Sequence, residues 1–137
     1  MQRRLEKLSK FCDFARSLAE LSPCTRRQNA AIIFSDDFRE IYSIGYNGPP
    51  VKMPNNSCMF DNCTCAHAEI NAIIKMGMMG GIMFTTKSPC IICANAILNC
   101  QKIHTVIYDK EHRDLSGLEL IKMAGLIVCK YSEIMVI

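Results

Sequence analysis

Residues 67–93, HAEINAIIKMGMMGGIMFTTKSPCIIC, predict a helix, a strand and the beginning of a second helix. Good helix formers fill residues 66–76 and stop at the glycines that follow. Residues 82–86 combine β-branched and aromatic side chains, which favours a strand. Pro89 suits the first turn of a helix, where an N–H has no helical partner, so we expect the next helix at residues 90–99. A strand flanked by two helices indicates layered α/β structure.

The segments that precede this stretch predict one helix and a hairpin. Apolar residues recur at helical spacing over residues 5–21, and Pro23 should lie beyond the end of that helix. Residues 30–34 and 40–44 predict two strands, with residues 35–37 as the turn between them. We therefore expect the chain to begin with a helix followed by an antiparallel pair of strands.

The segments after residue 93 alternate between strand and helix. A strand is predicted at 104–108, a helix at 116–124 and a last strand at 126–130. Such alternation is typical of parallel strands with helices on both faces. The predicted fold is α/β, a three-layer α-β-α sandwich with a mixed sheet of about five strands. Residues 1–137 are long enough for one domain. The loop at 45–65 is long for so small a domain, so we expect it to have a function or to be held by a local cross-link.

Three side chains in the opening stretch have the spacing of metal ligands. Cys90 and Cys93 are three residues apart, so on a helix their thiols lie on one face. A cysteine near a helix N-terminus has its thiolate favoured by the helix dipole. His67 and Glu69 also open a helix. Two helix N-termini can therefore converge on one metal ion.

One histidine and two cysteines are the ligand set of a catalytic zinc, because the fourth position stays open for water. Zinc lowers the pKa of that water to about 7. Glu69 is then available to move protons as an unligated carboxylate. A C-x-x-C pair alone is also compatible with a redox pair or half of a structural zinc site. The combination with His67, Glu69 and Pro89 favours catalytic zinc.

Composition limits the class of protein. The chain has nine cysteines, an odd number, beside a metal motif, and this suits a reducing cytoplasm better than a disulfide scaffold. No apolar run is long enough for a membrane span, and the basic residues at the start are not followed by an uninterrupted apolar stretch, so we expect no secretory signal. The net charge of +3 permits an anionic substrate such as a nucleotide. The absence of a Lys/Arg-rich block argues against dedicated nucleic-acid binding.

With these residues in view, the chain resembles the cytidine deaminase superfamily and, within it, the deoxycytidylate deaminases. H-x-E followed by P-C-x-x-C is the signature of zinc deaminases that act on nucleobases. The matching segments are Ser22-Pro23-Cys24-Thr25-Arg26-Arg27, Gly45-Tyr46-Asn47-Gly48, His67-Ala68-Glu69-Ile70-Asn71-Ala72-Ile73 and Thr86-Lys87-Ser88-Pro89-Cys90-Ile91-Ile92-Cys93-Ala94. The usual pattern of the deoxycytidylate deaminases is not followed at residues 29–32 and at Lys87. Both positions are expected near the floor of the substrate site.

The resemblance implies a hydrolase that converts a cytosine nucleotide, dCMP or a base-modified dCMP, to the uracil form plus ammonia. Zinc would be held by His67, Cys90 and Cys93, and Glu69 would take a proton from water and deliver it to the ring. The backbone at Ala68 and Ser88 can read the edge of the base. The substrate is therefore expected to be a small nucleotide, and the resemblance also implies a homo-oligomer, a dimer or a hexamer.

Polar residues outside the metal motifs are candidates for substrate contact. The resemblance assigns Asn47 to the nucleotide; otherwise it is a turn residue before a glycine. Arg26 and Arg27 can clamp a 5′-phosphate, because a guanidinium binds phosphate bidentately, or they form a solvated charge pair. Arg113 follows the fourth strand, on the side where open α/β sheets bind ligands. We expect His112, its neighbour, in an exposed loop.

Four further cysteines predict a second metal site. Cys58, Cys63 and Cys65 lie in the long loop, and Cys24 precedes the first strand. A closed zinc site made of these thiols would be structural and would hold the loop. Some deoxycytidylate deaminases carry a second zinc in this region, which favours this interpretation. The alternative is that they are free thiols in a reducing compartment.

Two other functions compete with the nucleotide deaminase. A tRNA adenosine deaminase-like editing enzyme would share the zinc motifs, but residues 45–48 and 71–73 and the lack of a basic C-terminal extension argue against it. A non-enzymatic, zinc-stabilised binding module would have no use for Glu69. Both stay open from sequence alone.

Overall fold

A computed structural model describes residues 1–24, 26–58 and 63–136, with the backbone alone at 57 and 58. In chain order the elements are α1 (Gln2–Ala19), β1 (Ala30–Phe34), β2 (Ile41–Tyr46), a 3-10 helix (Asn55–Cys58), α2 (Ala68–Lys75), β3 (Gly81–Lys87), α3 (Ile91–Cys100), β4 (Ile103–Lys110), α4 (Ser116–Met123), β5 (Ile127–Lys130) and α5 (Tyr131–Ile134). No described helix is both long and apolar enough to cross a bilayer.

The strands form one mixed sheet in the order β2-β1-β3-β4-β5. β1 is antiparallel to both β2 and β3, whereas β3, β4 and β5 are parallel. The parallel register pairs Lys87 with Lys110, so β3 and β4 end side by side. The loops that follow these two strands therefore start from the same edge of the sheet.

Helices cover both faces of the sheet, which confirms the predicted three-layer sandwich. The side chains of β1 alternate between the two faces of the sheet. Ile32 and Phe34 pack with α1 and α5, whereas Ala31 and Ile33 pack with α2, α3 and α4. All five residues of β1 are buried, because the strand has helices on both sides.

The predicted elements all exist, and their ends differ from the prediction by a few residues. The hairpin is longer than expected, since β2 continues to Tyr46. Two short helices were not predicted: the 3-10 turn at Asn55–Cys58 and α5, which follows β5 without a loop. Pro89 lies just before the helix rather than in its first turn, because Cys90 is the N-cap and its carbonyl accepts the first helical hydrogen bond, from the Ala94 N–H.

Two glycines allow neighbouring elements to approach the starts of α2 and α3 closely. A Cβ added at Gly45 of β2 would lie 2.4 Å from the Ala68 carbonyl oxygen. A Cβ added at Gly117 of α4 would lie 2.2 Å from the Pro89 carbonyl oxygen and 2.7 Å from the carbonyl of Cys90. Both contacts are with backbone, which cannot rotate away as a side chain can. The missing Cβ atoms therefore set the positions of both helix starts.

We expect Gly117→Ala to destabilise the protein by about 1–3 kcal/mol, the usual cost of overpacking a close contact. The added methyl group would push the Pro89–Cys90 backbone away from α4. The loss should exceed the gain in helix propensity, about 1 kcal/mol, that alanine brings. Urea unfolding of the two proteins measures the difference.

Gly48→Ala is the matched control, because a Cβ there would meet Pro23 at 3.4 Å, an ordinary van der Waals distance. This variant should unfold at nearly the same urea concentration as the parent protein. Equal stability of the Gly117→Ala and Gly48→Ala proteins would contradict the steric role assigned to Gly117.

Candidate active site

The start of α2 carries His67 and Glu69. His67 is the N-cap, with an extended backbone, and Glu69 lies in the first turn, where a carboxylate is favoured by the helix dipole. The residue before the cap is fixed by an isolated β-bridge, in which Ala66 and Gly48 exchange hydrogen bonds of 2.7 and 3.2 Å. The loop after β2 therefore holds the imidazole at its position.

The start of α3 carries the two cysteines. Cys90 is the N-cap, again with an extended backbone, and Cys93 lies in the first turn and is fully buried. The Ser88 N–H donates to the Lys110 carbonyl at 2.8 Å, which ties the approach to this helix to the end of β4. Each of the two helix starts is therefore fixed by a strand or loop behind it.

The structure brings His67, Cys90 and Cys93 together. Their possible ligand atoms all lie within 4.8 Å of one another. The His67 Nδ1 atom is 3.2 Å from the Cys93 sulfur and 3.5 Å from the Cys90 sulfur. Tetrahedral zinc, with bonds of about 2.0 Å to nitrogen and about 2.3 Å to sulfur, separates such ligand atoms by about 3.5 Å. The spacing of the donor atoms therefore fits zinc.

The electrostatics of the cluster also favour a cation. Burial raises the pKa of the Cys93 thiol, and the nearby Glu69 and Cys90 raise it further. Burial lowers the pKa of His67, as do the charges of Arg27 and His112, which favours the neutral imidazole that a metal needs. Cys93 and Glu69 are buried here beside the partly exposed Cys90, and a divalent ion would offset the repulsion between their anionic forms.

Glu69 has the environment of a proton-transfer group. Its side chain is buried, with 7% of the residue exposed. Burial raises the pKa of the carboxyl group, and a hydrogen bond with the Cys93 thiol acts in the opposite direction. A carboxyl group with a raised pKa holds a proton more readily at neutral pH, which general acid–base catalysis requires.

A cavity of about 210 Å³ opens onto this cluster. It is lined by Cys24, Arg26, Arg27, Asn29, Asn47, Cys63, Cys65, His67, Ala68, Glu69, Lys87, Ser88, Cys90 and His112. These include the candidates predicted from sequence, apart from Cys93, which is buried behind the lining, Arg113, and Cys58, whose side chain lies outside the described part. Arg113 is exposed, and its role in substrate binding stays a prediction.

The cavity wall is basic. Among the described residues that line it, Arg26, Arg27 and Lys87 carry positive charge, and Glu69 is the one acidic group. Lys87 and Asn29 belong to the two segments that depart from the family pattern, and both lie at the cavity as expected. The wall therefore favours a ligand that carries negative charge.

Asn47 lines the cavity but also supports its wall. Its Oδ1 atom accepts a hydrogen bond from the Asn29 N–H at 2.8 Å, and its Nδ2 donates to the Arg27 carbonyl at 2.9 Å. The side chain is buried and fixes the segment that carries Arg27. One amide hydrogen and one lone pair remain for a ligand, so the predicted nucleotide contact stays compatible with this structural role.

His112 was expected in an exposed loop, and it is half-buried at the cavity instead. Its position follows from the sheet: the loop after β4 starts beside the end of β3, which leads to Cys90. The same rule about the carboxyl ends of parallel strands that singled out Arg113 would have identified His112. Sequence alone does not decide which of two adjacent loop residues faces inward.

A second cluster of thiols lies at the same cavity. Possible ligand atoms of Cys24, Cys63 and Cys65 are all within 4.8 Å of one another. Cys58, the fourth predicted member, has its side chain outside the described part of the chain. Three converging sulfur atoms fit a soft cation such as zinc, which prefers thiolate ligands.

Comparison with protein families agrees with these motifs. Residues 5–110 match the family described as "Cytidine and deoxycytidylate deaminase zinc-binding region". Two curated relatives are deoxycytidylate deaminases. The one from Saccharomyces cerevisiae is 26% identical over 90% of this chain, and the one from Schizosaccharomyces pombe is 25% identical over 90%. The matched parts are 44% and 43% of those two proteins, so the chain spans less than half the length of these relatives.

Solved structures share the fold. The dCMP deaminase from the cyanophage S-TIM5, in complex with dCMP and dUMP, superposes with a TM-score of 0.83 at 28% identity, over 91% of this chain and 96% of the phage chain. The Rib2 deaminase of Aspergillus oryzae reaches a TM-score of 0.64 at 18% identity, over 88% of this chain and 81% of its own, which is a likeness of fold. On the family match, the motifs and the fold together, this chain belongs to the cytidine and deoxycytidylate deaminase zinc-binding family.

Proposed function

We propose that the protein is a zinc-dependent hydrolase that deaminates a cytosine nucleotide, with dCMP as the best candidate, to give dUMP and ammonia. The observation that carries this proposal is a buried carboxyl group, Glu69, in hydrogen-bond contact with a metal-ligand cluster at the floor of a basic cavity. The domain formed by residues 1–137 would hold the whole site.

Within this proposal Glu69 moves the protons. Zinc held by His67, Cys90 and Cys93 would supply a Lewis acid and an activated water nucleophile. Glu69 accepts a proton from water, delivers one to N3 of the cytosine ring, and later assists the departure of the C4 amino group as ammonia. Its burial supports this role, because the raised pKa allows the carboxyl group to hold each proton between transfers.

The dimensions and charge of the cavity support a nucleotide. Its volume of about 210 Å³ is below the roughly 300–1,000 Å³ typical of sites that enclose a drug-sized ligand. A pyrimidine ring would fit within it, while the phosphate would lie at the basic wall near Arg26, Arg27 and Lys87. The similar phage enzyme, whose structure contains dCMP and dUMP, adds support for this class of substrate.

Ammonia release from a panel of substrates tests the proposal. The panel contains dCMP, CMP, 5-methyl-dCMP, deoxycytidine, dCTP and a tRNA transcript. Release from dCMP or its base-modified form, well above release from the transcript, is expected. Release from the transcript alone would favour the editing enzyme, and no release from any substrate by zinc-loaded protein would favour the binding module.

Glu69→Gln should abolish turnover while leaving zinc in place. The amide keeps the shape of the side chain but cannot accept and return a proton, so kcat should fall at least about 10²- to 10⁴-fold. Metal analysis of the variant should give the same zinc content as the parent protein. Loss of zinc together with activity would mean that the glutamate is a ligand.

Arg27→Gln and Lys87→Met should each lower kcat/KM for dCMP by about 10- to 100-fold, the value of one hydrogen bond to a charged group. Activity on deoxycytidine, which lacks the phosphate, should change little. Steady-state kinetics with both substrates measure this preference.

Arg39→Gln is the charge-matched control, since Arg39 is exposed in the β1–β2 turn beside Asp37. It should leave the activity on both substrates unchanged.

Arg113→Gln tests the remaining sequence prediction. A loss of activity on dCMP, with activity on deoxycytidine retained, would mean that Arg113 contacts the phosphate. Equal losses on dCMP and deoxycytidine in the Arg27 and Lys87 variants would contradict phosphate binding at this wall.

The thiols of Cys24, Cys63 and Cys65, with Cys58 as the proposed fourth ligand, are proposed to hold a second, structural zinc. Freshly purified protein should then contain about two zinc ions per chain. The double variant Cys63→Ser, Cys65→Ser should contain about one and should become more sensitive to proteolysis, because metal binding stabilises the folded state.

Cys100→Ser is the control for this experiment, because Cys100 lies at the end of α3 and donates to the Ile97 carbonyl at 3.1 Å. It should keep both ions. A zinc content near one in the parent protein would exclude the second site.

A further inference from the structure

His112 lies in the loop between β4 and α4, at the wall of the cavity that contains Glu69. Arg27 and His67 line the same cavity. His112 therefore shares its surroundings with a basic side chain and with a candidate metal ligand.

Hydrogen bonds hold the backbone of His112 in one position. Its N–H donates to the Ser88 Oγ atom at 2.6 Å. The Ser88 N–H in turn donates to the Lys110 carbonyl at 2.8 Å. The loop after β4 is therefore joined by hydrogen bonds to the segment that leads into Cys90.

The ring of His112 is also held in one orientation. The Asp114 N–H donates to its Nδ1 atom at 3.0 Å, and the Asp114 Oδ1 atom accepts from the Ser116 N–H at 2.9 Å at the start of α4. A ring nitrogen that accepts a hydrogen bond carries no proton, so the proton of the neutral ring is on Nε2. Nε2–H has no partner among the described residues.

We propose that the Nε2–H group of His112 donates a hydrogen bond to a phosphate oxygen of the bound nucleotide. This inference rests on the proposed function and adds one recognition residue to it. An oriented donor at a cavity that Arg27 also lines suits a phosphate, which presents several acceptor oxygens and favours charge-assisted hydrogen bonds. The cytosine ring would lie against Glu69, as in the proposed function.

Two substitutions distinguish the role of Nδ1 from that of Nε2. His112→Asn keeps an acceptor at the place of Nδ1 and removes the donor that faces the cavity. His112→Gln keeps a donor near the place of Nε2 and removes the acceptor used by Asp114. We expect His112→Asn to lower kcat/KM for dCMP about tenfold or more and to leave deoxycytidine unchanged, whereas His112→Gln should retain most of the activity on dCMP.

Product binding provides a readout that does not require turnover. Calorimetric titration of zinc-loaded protein should show a Kd for dUMP that rises about tenfold or more in His112→Asn and stays near the parent value in His112→Gln. Binding of deoxyuridine should be the same in all three proteins. Thermal unfolding of each variant checks that the fold is intact.

His104→Gln is the matched control, because His104 lies at the start of β4, exposed, with its Nε2 atom 2.6 Å from the Asp36 carboxylate. It should leave dUMP binding unchanged. Unchanged dUMP binding in His112→Asn, or an equal loss for dUMP and deoxyuridine, would overturn the inference. If the parent protein binds dUMP but deaminates neither substrate, the proposed function fails while the titration still decides the role of His112.

Discussion

The site depends on the convergence of two helix starts on one small buried volume. Each helix contributes its N-cap residue, His67 or Cys90, and one residue of its first turn. Such close convergence needs neighbouring backbones to come nearer than a side chain would allow. Gly45 and Gly117 meet that need, since each lies where a Cβ would overlap a backbone carbonyl next to a functional residue. Packing, rather than the helices' own propensity, therefore sets the geometry of the donor atoms.

That convergence concentrates groups that repel one another when they are ionised. Cys93 and Glu69 are both buried, and burial raises the pKa of each. A cation in the cluster would offset the repulsion between the ionised forms, and the family to which the chain belongs is a zinc-binding one. Metal binding and the stability of the site are then linked, because the ion offsets the cost of keeping the thiolates away from water.

Most of the fold and the grouping of His67, Cys90 and Cys93 could be predicted from the sequence, because both depend on short-range patterns. The ligand spacing is set within one helix turn for Cys90 and Cys93, and the strands are marked by their composition. The cavity wall depends on strand order, which the pattern does not give. His112 reaches the cavity because β4 lies beside β3, and its neighbour Arg113 stays exposed. The 3-10 turn and α5, of four residues each, are too short to leave a periodic signal.

The floor and the wall of the cavity carry groups of opposite charge. At its floor, low solvent exposure raises the pKa of the Glu69 carboxyl group, which supports the proton-transfer role proposed for it. At its wall, Arg27 and Lys87 are carried by the segment before β1 and by the end of β3. The basic groups therefore come from other elements than Glu69, which lies on α2. Under the proposed function, substitutions at these wall positions would change which nucleotide is bound and would leave the acid on α2 in place.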